Sequence, residues 1–127
     1  MVKLNHTIVH ARDPREAANF FVAVFGLPPP LRFGPFLCVQ LANEVTLDFY
    51  TSEDEKLQMQ HYAFLVSEQE WDQIFARIKE RQITFWADPA CRRAGEFNRH
   101  DGGRGVYFQD PSGHLLEIIT RPYGSGE

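Results

Sequence analysis

The chain has 127 residues, 43% of them hydrophobic, with 17 acidic against 13 basic side chains and a formal net charge of -4. Such a length and composition fit one domain or two small fused halves, and they exclude disorder, collagen-like repeats and low-complexity character. No Lys/Arg run offers the basic footprint that nucleic-acid phosphates require, and no apolar stretch nears the ~20 residues that cross a bilayer.

The expected partner is therefore a small molecule, without nucleic acid or membrane, and the expected location is cytoplasmic. Cys38 and Cys91 lack a CxxC spacing and read as buried or loop thiols, not as a zinc cage.

Residues 3–11 have the length and apolar character of a strand. Asp13-Pro14-Arg15-Glu16 then supplies an N-cap, a proline at N1 and an acid at N3. The helix that follows carries Ala17, Phe20, Phe21, Val24 and Phe25 on one face, and Gly26 with Pro28 to Pro30 stops it. Two strands are expected at 36–42 and 45–50, separated by Asn43-Glu44, before the polar run 51–56.

The second half repeats this order. Residues 60–66 read as a strand, and Ser67-Glu68-Gln69-Glu70 is an S-x-x-E capping box. Trp71, Ile74, Phe75 and Ile78 form the buried stripe of the next helix. A short strand at 83–86, a polar loop at 88–104, and strands at 105–109 and 115–120 follow. Asp110-Pro111-Ser112-Gly113 marks the hairpin turn between the last two.

Each half thus reads strand, helix, then about three strands, with His6 set over His61. The expected fold is α+β: two paired β-α-β-β-β modules, at about 1–52 and 59–120, forming a curved mixed sheet around a cavity within a single 1–127 domain, with a tail at 121–127. Alternation places His6, Ile8 and His10 on one strand face. It puts Glu117 between Leu115 and Ile119, and leaves Thr46, Asp48 and Tyr50 opposite the helix-packed Val45, Leu47 and Phe49. Asp48 is the first-half counterpart of Glu117.

Carboxylates and imidazoles on apolar strands are costly unless paired, hydrogen-bonded or bound to a cation. His6, His61 and Glu117, brought together by a two-fold arrangement, would suit Fe(II), Mn(II), Co(II), Ni(II) or Zn(II) with open positions left for substrate. An ordinary salt bridge explains Asp48 equally well. Phe33, Phe36, Trp86 and Phe97 lie in or beside segments that could rim a cavity for a flat substrate, though ordinary core packing accounts better for most of them; Arg92, Arg93 and Arg99 could receive an anionic group or equally be solvated charges.

Three blocks, Leu4 to Asp13 with Phe20-Phe21, His61-Tyr62-Ala63-Phe64, and Gly105 to Glu117, resemble the vicinal oxygen chelate superfamily. That superfamily includes glyoxalase I, extradiol dioxygenases, fosfomycin-resistance transferases, epimerases and bleomycin-resistance proteins. The resemblance covers nearly the whole chain. It implies one divalent metal on His6, His61 and Glu117, with Fe(II) favoured, and a homodimer.

The spacing from Asn98-Arg99-His100 through Tyr107, Asp110-Pro111 and Gly113 to Glu117 is similar to the extradiol signature. This implies a ring-cleaving dioxygenase in which Tyr107 bonds to a substrate oxygen and His100 moves a proton. A glyoxalase I-like isomerase or lyase, or an epimerase, is the alternative; there Asp48 supplies a second carboxylate, and His10 stands where glyoxalases often carry an arginine for substrate binding. A metal-free binding protein of the bleomycin-resistance kind is the third reading. The glycine-rich tail is expected to cross the surface or a partner subunit.

Overall fold

The computed structural model describes residues 1–126, which fall into two compact units, one ending at Gln58 and the other starting at Met59. In the first, strand β1 (His6–Ala11) leads into helix α1 (Pro14–Phe25), and β2 (Leu31–Phe33), β3 (Phe36–Gln40) and β4 (Thr46–Thr51) follow. In the second, β5 (His61–Leu65) and helix α2 (Glu68–Glu80) precede β6 (Phe85–Trp86), the 3-10 turn η1 (His100–Gly102), β7 (Gly105–Gln109) and β8 (Leu115–Ile119). The architecture is the expected α+β one, with two open, mixed four-stranded sheets.

Both sheets have the same order. The first runs β1-β4-β3-β2 and the second β5-β8-β7-β6, and in each the opening strand pairs in parallel with the last while the other pairs are antiparallel. The opening strand needs the intervening helix to return the chain in parallel, whereas the remaining strands join through short turns.

Local sequence explains where the helices begin and stop. The Asp13 side chain accepts from the amides of Arg15 and Glu16, Pro14 fills a position needing no amide donor, and Gly26 closes α1 in the left-handed conformation at φ 72°. Ser67 and Glu70 form the reciprocal capping box of α2. Ala17, Ala18, Phe21 and Val24 bury one face of α1, which packs on β3 and β4, where Leu37, Val39, Leu47 and Phe49 are buried. Trp71, Ile74 and Ile78 are the buried stripe of α2, with Phe75 half-buried.

Several boundaries differ from expectation. β1 begins at His6, not residue 3, and β6 keeps two residues of the expected four. β2 supplies the third strand after α1 that the β-α-β-β-β order requires, although its three residues are all exposed and show no apolar alternation. Of the two readings open for Phe97, cavity rim or core packing, the structure shows packing: its ring lies edge-on against Trp71 and Phe75 of α2. Asp110 orders the β7–β8 turn: its Oδ1 accepts from the amides of Ser112 and His114, while burial pushes its pKa above the usual carboxylate range.

Candidate metal centre

Strand pairing gives the two units matching constellations. In the first, His6 stands beside Thr46, Ile8 beside Asp48, and Asp48 beside Cys38 across β4 and β3. In the second, His61 stands beside Leu115, Ala63 beside Glu117, and Glu117 beside Tyr107. His6 and His61 thus hold the same register position, as do Asp48 and Glu117.

In the second unit these groups touch. Glu117 is 1% exposed on β8, an inner strand flanked by β5 and β7, so it is no solvated edge acid. Its Oε1 lies 2.9 Å from His61 Nε2. Its Oε2 accepts a hydrogen bond from the Tyr123 hydroxyl, which in turn lies 3.2 Å from the Tyr107 hydroxyl. The His61 and Tyr107 rings pack at 5.7 Å between centroids. Burial first, then the hydrogen bond with Tyr123 and the charge of the nearby Glu117 carboxylate, holds the Tyr107 phenol well above its ordinary pKa; burial and Glu117 raise Tyr123 likewise. Both phenols are therefore hydrogen-bond donors at neutral pH, not bases.

The 2.9 Å separation is that of a hydrogen-bonded ion pair, and the donor set it brings together, an imidazole nitrogen and a carboxylate oxygen, is one that suits a divalent metal. By donor chemistry, His61 and Glu117 would serve as two ligands of such an ion. Among the described residues, no three His, Cys, Asp or Glu side chains stand close enough together to hold one.

In the first unit, His6, Ile8, Phe33, Phe36, Cys38 and Asp48 line a pocket of about 660 Å³, within the range of small-molecule sites. His6 Nδ1 is 2.7 Å from Asn5 Oδ1, which leaves Nε2 as the nitrogen to offer a ligand. Asp48 has a buried Oδ1 without a hydrogen-bond partner. Burial, followed by the adjacent Asp48 carboxylate, pushes the Cys38 thiol up to about 11. His10 is exposed, with Tyr50 edge-on to its ring at 6.3 Å.

His100 opens the exposed η1 turn, where its amide donates to Asn98 Oδ1 and its carbonyl accepts from Gly103. Arg93 pairs with Glu96 and Arg99 lies over the Phe97 ring, so neither stands as an isolated anion receptor. Tyr123 was absent from the expected site. The tail turns back onto Glu117 of its own unit instead of running out across the surface, and a glycine-rich sequence gave no sign of that contact.

The chain belongs to one family with this fold: residues 3–118 match the Glyoxalase/Bleomycin resistance protein/Dioxygenase superfamily. Among solved structures, the chain is similar to Oxidase ChaP-H2, at 54% identity over 99% of this chain and 98% of that one, with a TM-score of 0.95. Oxidase ChaP-H1 is 56% identical over 98% of this chain and 99% of its own, also at a TM-score of 0.95. Glutathione transferase FosA of Serratia marcescens is 28% identical over 122 residues, 91% of this chain and 78% of that protein.

Proposed function

We propose that the protein is a divalent-metal-dependent enzyme that oxidises a small oxygenated aromatic substrate with dioxygen, with His61 and Glu117 as metal ligands, His6 as the third ligand that the family resemblance implies, and Fe(II) as the metal. The observation that carries this reading is the buried Glu117 carboxylate held 2.9 Å from His61 Nε2 on an inner strand. Similarity to two oxidases at more than half identity supports the oxidative branch. Ring cleavage is the form of oxidation that the spacing from His100 to Glu117 favours.

A divalent ion on these ligands supplies Lewis-acid binding of a bidentate oxygenated substrate and, as Fe(II), reactivity toward dioxygen. The chain's own residues do the rest. The phenols of Tyr107 and Tyr123 donate hydrogen bonds beside the carboxylate, and Glu117 and Tyr107 are themselves buried. The pocket beside His6 offers Phe33 and Phe36 as walls for a flat ring. His100, on an exposed turn, takes up or gives a proton once substrate is bound. The active form is a homodimer, as the resemblance implies.

The test is oxygen uptake by anaerobically Fe(II)-loaded protein presented with catechols and larger phenols. Substrate-dependent uptake lost in Glu117→Ala is expected. Absence of uptake, with hemithioacetal turnover under Ni(II) or Zn(II), would replace this reading by the glyoxalase-type one. A specific feature favours that second reading: Asp48, in register with Glu117, has the unpartnered buried oxygen that a second metal-side carboxylate would offer.

A further inference from the structure

We propose that Tyr123, carried on the C-terminal turn, is a positioning residue that caps one oxygen of Glu117 and leaves Oε1 as the carboxylate's single donor to the metal. The inference rests on the metal reading above.

A phenol has one proton to donate. Tyr123 gives its proton to Glu117 Oε2, so at the 3.2 Å contact between the two phenols Tyr107 must be the donor and Tyr123 the acceptor. The hydrogen bonds therefore run in one direction, from Tyr107 through Tyr123 to Glu117, and end on Oε2. The other oxygen, Oε1, faces His61 Nε2. A carboxylate held at Oε2 cannot swing to offer both oxygens to an ion without losing this chain.

The turn that carries Tyr123 is itself tied down. Ser125 N and Oγ both donate to Pro122 O, Arg121 donates to Ser125 O, and Gly124, at φ 75°, donates its amide to Asp101 Oδ1 on η1. Asp101 adopts φ 58°, in the left-handed region where aspartate is tolerated better than most residues. The tail is thus a strap closed on the turn that begins with His100. Tyr123 remains 62% exposed, so its ring adds little to the core and the contact of its hydroxyl is a local one.

Groups that hydrogen-bond to metal ligands typically change metal affinity by about 10–100-fold when removed. The test titrates Co(II) into tag-free, metal-stripped wild type, Tyr123→Phe, Asp101→Ala and Glu117→Ala, with calorimetric affinity, the visible Co(II) spectrum and thermal unfolding as readouts. Tyr123→Phe is expected to bind Co(II) about 10-fold more weakly with an altered spectrum, while its metal-free unfolding midpoint stays near that of wild type. Asp101→Ala, which frees the strap but keeps the hydroxyl, should weaken binding in the same direction and by less.

Wild-type affinity and spectrum in Tyr123→Phe, with binding abolished in Glu117→Ala, would overturn the positioning role and leave the metal reading standing. A drop in unfolding midpoint with unchanged affinity would make Tyr123 a structural contact and equally overturn it. Wild-type binding that survives Glu117→Ala would instead overturn the metal reading itself.

Discussion

Replacing Glu117 with methionine separates what this side chain does for the fold from what it does for the site. The carboxylate is 1% exposed, yet its partners reach solvent: the His61 side chain is 41% exposed and Tyr123 62%. Water can take over the bonds those partners lose, so removing the carboxylate strands no buried donor there. Meanwhile the cost of keeping a carboxylate out of water disappears. Removing one partner of a buried ion pair costs about 3–5 kcal/mol when the other charge is left buried, and here His61 is left in contact with solvent, so that penalty does not arise.

The metal-free Glu117→Met protein should therefore lie within about 1 kcal/mol of wild type or above it, a shift of a few degrees in Tm for a chain of this size. Urea unfolding of both metal-free proteins, followed by the fluorescence of Trp71 and Trp86, measures this. Adding Co(II) at about 100 times its Kd should then stabilise wild type by about 2.7 kcal/mol and the variant not at all. A metal-free loss above about 3 kcal/mol at unchanged m value would make Glu117 a structural residue and refute the reasoning.

Three further outcomes follow from the geometry. In a Cys91→Ser background, alkylation of Cys38 should accelerate about ten-fold per pH unit to beyond pH 10, because a thiol raised from 9.0 to about 11 stays protonated; Asp48→Asn should speed it, and a plateau at pH 9 would contradict the contact. Asp13→Ala and Ser67→Ala should each cost about 1 kcal/mol in chemical denaturation by removing the caps of α1 and α2, and no loss would mean the caps are idle. Gly105→Ala would put a Cβ 2.8 Å from Asn98 Oδ1. Because Asn98 is buried and bonded to Ala87 O and the His100 amide, it cannot yield, and about 1–3 kcal/mol of stability should be lost on denaturant titration.

The parts of the site legible in the sequence are those governed by strand alternation. Val45, Leu47 and Phe49 face the helix, so Thr46, Asp48 and Tyr50 face away, and the same rule brings Glu117 onto the face that carries Tyr107 across the pair. The duplicated strand-helix order by itself sets His6 over His61, and the strand register gives them the same position. Helix ends were legible too, because Asp13, Gly26 and Ser67 act on backbone groups only a few residues away.

Contacts fixed by distant partners were not. Tyr123 reaches Glu117 because Gly124 is bonded to Asp101, a link across 23 positions in a segment without periodicity. Phe97 packs under α2 from a loop, where no alternation indicates which way a ring turns. The third strand expected after α1 has no position legible in its own residues, because three exposed residues after a proline run carry no burial pattern.

The central claim is that Glu117 and His61 hold a metal. Elemental analysis of tag-free protein purified without chelators, read per chain beside Glu117→Ala, tests it most directly. The account predicts near-stoichiometric iron in wild type and loss of it in the variant. Equal metal content in the two proteins, or none in wild type even after anaerobic reconstitution with Fe(II), would contradict it.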